Sequence, residues 1–179
     1  MSENTMVLFP GVKVGETFRI GGIEFIRFAD VDGKTPVVMK DIAFNYRFGK
    51  NNNFRDSVIL KKLEEELLQD IIEAVGEENV FEFETDLTTM DGLKNYGVMK
   101  SRISLPTFDF YRANAEIFDK YNPGEWWWLA TAYSAKPRVD YDWAACVAPS
   151  GCVISYFCIG DFSGVRPFCI LNSSIFESC

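Results

Sequence analysis

Three consecutive tryptophans, Trp126, Trp127 and Trp128, constrain the fold of this chain more than any other segment. In a β-strand, successive side chains point to opposite faces, so Trp126 and Trp128 share one face and Trp127 takes the other. Each tryptophan side chain can bury about 150–250 Å², which stabilises a fold by several kcal/mol when water is fully excluded. We therefore predict that the trio belongs to the core of the scaffold.

The chain has 179 residues, which fits one domain, because hydrophobic cores usually divide only beyond about 250–300 residues. Hydrophobic residues make up 47% and charged residues 25%, as in an ordinary globular protein. The sequence contains no internal repeat and no convincing linker. We predict one domain over residues 1–179, with a scaffold half at 1–120 and a second half at 121–179.

The net charge is −8, and lysine and arginine cluster nowhere beyond Lys61-Lys62. Such a chain is not attracted to phosphate backbones or anionic lipids, so we predict no nucleic acid partner. No apolar run approaches the roughly 20 residues needed to span a bilayer, so we predict no membrane insertion. The N-terminus lacks the basic and apolar regions of a secretory signal, and we expect a cytoplasmic or virion-associated protein.

Five cysteines and no histidine limit the chemistry of the chain. An odd cysteine count without a signal peptide argues against a disulfide framework. Cys146, Cys152, Cys158 and Cys169 have no CxxC spacing, so zinc is not expected. The usual general base near neutral pH is also missing. We predict no metal, no cofactor and no enzymatic activity.

Residues 16–40 are predicted to form a β-hairpin, because β-branched and aromatic residues flank the Gly21-Gly22 turn. The run from Asp30 to Gly33 has the Asp-x-Asp-Gly pattern that begins many calcium loops. The full twelve-residue loop with its closing glutamate is absent, so we interpret this run as a hairpin turn.

Two helices are predicted from the spacing of apolar residues. The first covers residues 54–75 and ends at Gly76. The second covers about 108–119, with Thr107 as its N-cap. The apolar stripe of the first helix contains Leu60, Leu63, Leu67, Ile71 and Val75.

The remaining apolar segments are short, alternate in the manner of strands, and are separated by turns. Helices and strands in this arrangement indicate one α+β fold. The predicted strands are Val80–Glu84, Ser101–Leu105, Ala144–Ala148, Cys152–Cys158 and Val165–Leu171.

Two motifs carry a family resemblance: Trp126-Trp127-Trp128-Leu129-Ala130-Thr131, and Gly164-Val165-Arg166-Pro167-Phe168 some thirty residues later. Together they resemble the C-type-lectin-fold variable proteins of diversity-generating retroelements in phages and bacteria. The segments 15–18 and 103–112 are similar to a related family of uncharacterised domains with a WWLR…GVRP signature. The resemblance implies a C-type-lectin-like fold: a small twisted antiparallel sheet, two flanking helices and a long irregular C-terminal β region.

Within the second motif we interpret two residues as structural. The guanidinium of Arg166 can satisfy several loop carbonyls at once. Gly164 is expected to supply a backbone geometry that other residues resist.

The resemblance also implies that surface positions near the C-terminus are diversified by adenine mutagenesis while the scaffold stays fixed. Between residues 132 and 162 many side chains are ones that adenine substitution in an asparagine codon can produce, including three cysteines. Aromatic and charged side chains suit recognition of a target. The predicted ligand-binding residues are Tyr133, Arg138, Asp140, Tyr141, Asp142, Tyr156, Phe157, Asp161 and Phe162.

A structural interpretation of the aromatic residues stays open. Alternation along Cys152–Cys158 places Tyr156 on one face of a strand and Phe157 on the other, and one face must lie inside. For Tyr156, Phe157 and Phe162, a place in the core is therefore the alternative to contact with a ligand.

The favoured function is binding of a protein or glycan target on a cell surface, without obligate calcium, and an oligomer is left open. One alternative is a structural or accessory component of a phage or mobile element with no diversified target. A second alternative is a copper oxidase similar to the formylglycine-generating enzymes, which share the general fold more remotely. Cys146, Cys152 and Cys158 would then bind Cu(I), which prefers thiolates.

Overall fold

A computed structural model describes residues 8–136, 142–160 and 162–177. Within these ranges the chain is mixed α+β, mostly strands, with a few short helices. The strands are β1 (Thr17–Ile20), β2 (Ile23–Arg27), β3 (Lys34–Met39), β4 (Phe44–Tyr46), β5 (Phe83–Asp86), β6 (Val98–Ser101), β7 (Trp127–Ala132), β8 (Trp143–Val147), β9 (Val153–Phe157), β10 (Ser163–Val165) and β11 (Phe168–Asn172). The helices are α1 (Val58–Glu66), α2 (Leu68–Val75), α3 (Phe108–Ala113) and α4 (Ala115–Lys120), with 3-10 turns at Phe54–Asp56, Glu77–Asn79 and Ser173–Phe176.

The predicted N-terminal hairpin is confirmed and is extended by a strand from the other end of the chain. β1 and β2 pair in an antiparallel register that sets Phe18 opposite Phe25. β3 follows through a turn in which Asp32 and Gly33 have φ of 51° and 74°, a left-handed geometry suited to aspartate and glycine. β11 then pairs with β3, so the sheet order is β1-β2-β3-β11.

The second sheet has the order β4-β10-β7-β8-β9, and β7 lies at its centre with all six residues buried. Trp128 is wholly buried in a cluster with Phe48 and Phe54 on one face. Trp127 is buried on the opposite face in a cluster with Phe28 and Phe118. The prediction of buried tryptophans on both faces of one strand is confirmed for Trp127 and Trp128, whereas Trp126 precedes the strand and is half-buried.

The first predicted helix is present but is distorted and shorter at its start. A 3-10 turn precedes it, and the hydroxyl of Ser57 caps α1 by accepting a hydrogen bond from the Leu60 N–H. At Leu67 φ widens to −111°, which separates α1 from α2 although backbone hydrogen bonds continue across the break. Gly76 ends α2 with φ of 92°, as the sequence predicts.

The second predicted helix is also divided. Thr107 is its N-cap, as predicted, and accepts a hydrogen bond from the Phe110 N–H at 3.1 Å. The chain leaves helical geometry at Asn114, whose side-chain amide donates to the Phe110 carbonyl at 2.9 Å. Asparagine side chains compete with the helical ladder in this way, which explains the break between α3 and α4.

Three predicted strands differ in the structure. Val80–Glu84 is displaced, because β5 covers Phe83–Asp86 and Val80 forms only an isolated bridge, to Leu171. Val165–Leu171 is not one strand: the chain turns at Arg166 and Pro167, so β10 and β11 belong to different sheets. The predicted strand Ser101–Leu105 is wrong, since β6 ends at Ser101 and only Ser104 forms a further bridge, to Phe168.

A third, two-stranded sheet is formed by β5 and β6. Within the described ranges, no helix has the length and apolar character required to cross a lipid bilayer.

Candidate binding surface

A buried arginine connects the two recognised motifs. Arg166 is 0% exposed, and its guanidinium donates hydrogen bonds to the carbonyls of Met39, Lys40 and Tyr121 at 2.8–3.3 Å. The guanidinium carbon lies 4.6 Å from the ring centroid of Trp127. Burial lowers the pKa of Arg166 to about 10, because the charged form has lost most of its water. The predicted structural role, with one fork holding several loop carbonyls, agrees with these contacts.

Gly164 is required for space rather than for an unusual backbone conformation. Its φ is not among the positive values found in nine other glycines of the described chain. A Cβ atom at this position would lie 2.5 Å from Cδ1 and 2.8 Å from Cγ1 of Ile42. The expectation of a backbone geometry that other residues resist is therefore wrong, and close packing between neighbouring segments is the reason for glycine.

The other two tryptophans support the opposite face of the sheet. Trp128 donates its indole N–H to the carbonyl of Tyr46 at 2.8 Å. The half-buried ring of Trp126 stacks on Tyr156, with centroids 4.8 Å apart and planes inclined by 17°. Tyr156 thus packs against the core, so the structural interpretation describes this predicted ligand-binding residue better.

Three aromatic residues form a row across the ends of adjacent strands. Tyr133 donates its backbone N–H to the carbonyl of Trp143 at 2.9 Å, and Trp143 pairs with Phe157 across β8 and β9. Residues paired in this way point to the same face. The rings of Trp143 and Phe157 lie 5.9 Å apart, and Tyr133 and Trp143 are 42% and 37% exposed. We call Tyr133, Trp143 and Phe157 the aromatic row.

The buried side-chain amide of Asn52 connects the two strand ends of the second sheet that carry Tyr133 and Trp143. Asn52 is 0% exposed, and its Nδ2 donates to the carbonyls of Ser134 at 2.7 Å and Trp143 at 3.0 Å. Its Oδ1 accepts a hydrogen bond from the Tyr96 hydroxyl at 2.6 Å. Asn52 therefore fixes the exit of β7 against the entry of β8, and with them the spacing of two residues of the row.

A carboxylate adds a second anchor beside the row. Asp91 accepts hydrogen bonds from the hydroxyls of Thr89 and Ser134, the latter at 2.8 Å, and its Oδ2 lies 3.5 Å from the Lys136 ammonium. These donors, Thr89 first, lower the pKa of Asp91 below its usual value. The Asp91 contacts tie the segment after β7 to the loop that follows β5.

The remaining predicted binding residues have different surroundings. Phe162 is the most exposed, at 63%, and precedes Ser163, which pairs with Tyr46. Asp142 is half-buried, and its carbonyl accepts a hydrogen bond from the Cys158 N–H at 2.7 Å. The four other predicted binding residues lie outside the described residues: Arg138, Asp140, Tyr141 and Asp161.

The four cysteines within the described residues do not fit a shared metal site or a diversified surface as a group. Cys146, Cys158 and Cys169 are 0% exposed and belong to the core, whereas Cys152 is exposed. Cys152 and Cys158 flank opposite ends of β9, about 20 Å apart along an extended strand. A single copper ion cannot bind both. No metal-binding group of three or more Cys, Asp or Glu residues occurs in the described part of the chain.

Sequence reasoning missed Trp143 and Asn52. Trp143 begins a strand and is followed by small apolar residues. The local sequence pattern does not show whether its side chain is exposed or buried. Asn52 lies in the run Asn51-Asn52-Asn53, which is typical of a solvated loop. Comparison with models of protein families, with curated proteins and with solved structures finds no match.

Proposed function

We propose that this chain is a target-binding protein with a C-type-lectin-like fold, which recognises a protein or glycan on a cell surface. The observation that carries the proposal is the aromatic row, in which Tyr133 and Trp143 are exposed on adjacent strand ends. Monomeric proteins seldom expose large apolar side chains close together unless they serve an interaction. Of eight large hydrophobic residues that are exposed in the described chain, five lie between residues 133 and 162.

The chemistry of the row suits recognition. Tyrosine and tryptophan provide large contact areas at a low entropic cost, and both carry a polar group that can hydrogen-bond to a target. Because Asn52 and the Asp91 contacts hold the strand ends in place, little ordering remains to be done when a target binds. A rigid support under exposed aromatic rings is what a binding surface requires.

The C-type-lectin part of the proposal has separate support. The two motifs that carry the resemblance are in contact, since Gly164 pairs with Trp127 and Arg166 covers the Trp127 ring. The sheet is therefore built from the same segments that define the sequence signature. In this proposal the motif residues form the fixed scaffold, and the aromatic row with Asp142 and Phe162 forms the part that varies with the target.

Binding to intact bacterial cells and to a glycan array tests the proposal. The variant Tyr133→Ser/Trp143→Ser/Phe162→Ser is compared with Val31→Ser/Val98→Ser, which removes two apolar side chains that are exposed elsewhere on the chain. We expect the first variant to lose binding to the cells or glycans that the wild type binds, and the second to retain it. Equal binding by both variants, or no target in either assay, would contradict the proposal.

The flanking DNA provides a second, independent test. A neighbouring reverse transcriptase gene and a template repeat that matches residues 130–176 are expected if the surface is diversified. Their absence, combined with a lack of any target, would favour the structural or accessory role instead.

A further inference from the structure

Strand β9 forms an open edge of the five-stranded sheet. In antiparallel pairs, alternate residues exchange hydrogen bonds with the neighbouring strand, and those between them point the other way. The carbonyl of Cys152 accepts from the Ala148 N–H at 2.8 Å, and the N–H of Cys158 donates to the Asp142 carbonyl. The backbone N–H and C=O groups of the even-numbered residues along β9 therefore point toward β8.

By the same alternation, Val153 and Ser155 direct their backbone N–H and C=O groups away from β8. Neither residue makes a backbone hydrogen bond on that side to any part of the chain that the structure describes. Exposed groups of this kind are a template for pairing with another strand.

The stretch of chain that contains this edge has no charged residue. From Trp143 to Gly160 the sequence has no Asp, Glu, Lys or Arg, although such residues make up 25% of the chain. The contrast with β1, the edge strand of the other sheet, is informative, because β1 carries the exposed Arg19. Proteins usually block edge strands with lysine, proline or a bulge. An unblocked edge with the exposed residues Ile154 and Ile159 beside it indicates a surface that is covered when the protein functions.

The order of residues in β9 indicates which partner pairs with this edge. We propose that β9 pairs with β9 of a second copy of this chain, antiparallel and about a two-fold axis at Ser155. This register sets Val153 opposite Phe157 of the partner subunit and Ile154 opposite Tyr156 of the partner subunit. Pairs of β-branched and aromatic residues are among the most favourable across strands. At the axis, the two Ser155 residues exchange both backbone hydrogen bonds, as outward-pointing residues must.

A second copy explains the pattern better than an unrelated strand does. The net charge of −8 opposes association of two copies, but no charged residue lies within this stretch, so that repulsion is weakest here. Apolar residues also lie on both sides of Ser155, so the strand is complementary to a second copy of itself, as a two-fold interface requires. The pairing is independent of any ligand and would carry two aromatic rows on one continuous sheet.

Sedimentation velocity of Ser155→Lys and Ser155→Glu, alone and mixed, tests the pairing. The wild type is expected to be a dimer whose mass depends on concentration. Because like charges then oppose each other at the axis, each variant alone should dimerise about tenfold more weakly or not at all. An equal mixture of the two should restore a dimer, since lysine then faces glutamate. Ser150→Lys, in the exposed turn before β9, is the control and should remain a dimer.

Three results would overturn the proposal. The first is a monomeric wild type at the highest concentration measured, and the second is dimerisation of both charged variants at the wild-type affinity. The third is a mixture that stays monomeric while near-ultraviolet circular dichroism shows both variants to be folded, because charge pairing at the axis is specific to this register.

Discussion

The guanidinium of Arg166 lies over the ring of Trp127, with 4.6 Å between its central carbon and the ring centroid. This contact joins the two sequence motifs, although the two residues are some forty positions apart in the chain. Arg166 also donates hydrogen bonds to carbonyls at the end of β3 and just after α4. One side chain thereby connects the four-stranded sheet, the five-stranded sheet and a helix.

Replacement of Arg166 with alanine is expected to lower the free energy of unfolding by about 2–4 kcal/mol, because buried carbonyls lose their donors. Arg166→Lys should recover only part of this loss, since an ammonium group has no planar fork. Urea denaturation measures both effects, with Arg19→Ala, an exposed arginine, as the control. An unchanged midpoint for Arg166→Ala would show that the arginine is not structural.

Gly164→Ala is expected to cost about 1–3 kcal/mol, because the new methyl group overlaps the Ile42 side chain. Ile42→Ala removes the overlapping atoms, so the double variant should be more stable than the sum of the two single changes predicts. Gly22→Ala is a matched control, since open space surrounds a Cβ atom there. Strict additivity of Gly164→Ala and Ile42→Ala would contradict the packing explanation.

Asn52→Asp tests the anchor beneath the aromatic row. The carboxylate has the same shape but cannot donate, so both hydrogen bonds to the carbonyls of Ser134 and Trp143 are lost. We expect a loss of about 2–3 kcal/mol in stability and faster amide hydrogen exchange at Tyr133. Asn45→Asp, at an exposed position of β4, is the control. Unchanged exchange at Tyr133 would mean that Asn52 does not hold the strand ends.

Because the Cys169 thiol is buried, we expect the protein to lose stability at alkaline pH. Burial raises the pKa of its thiol from 9.0 to about 12. The folded state keeps the proton between pH 9 and 12 while the unfolded state releases it, so stability falls with rising pH across this window. We expect Cys169→Ala to remove about 1 kcal/mol per pH unit from the alkaline slope. Cys152→Ala, which removes an exposed thiol, should leave the slope unchanged.

Features that depend on local periodicity could be predicted from the sequence. The N-terminal hairpin, the apolar stripe of α1 and α2, the caps at Thr107 and Gly76, and the two faces of the tryptophan strand all follow from side-chain spacing. Helix breaks at Leu67 and Asn114 were missed because apolar spacing continues through them. In such cases the stripe gives the position of a helix but not its continuity.

Features that depend on distant partners could not be predicted. The apolar run Val165–Leu171 is suited to one strand, but Pro167 has no N–H and Arg166 turns inward to reach carbonyls more than forty residues away. Cys146 and Cys158 have the residue type of a diversified position, yet β8 and the turn after β9 place them in the core. Asn52 acts on residues more than eighty positions away, and no local pattern encodes that contact.

The pairing of β11 with β3 has a consequence for synthesis on the ribosome. The strands β1, β2 and β3 leave the ribosome before the rest of the sheet. One edge of β3 has no partner strand until Asn172 and its neighbours have also emerged. The first sheet therefore waits for nearly the whole described chain to be translated, and a nascent chain halted before Phe168 is exposed to proteolysis and chaperone capture.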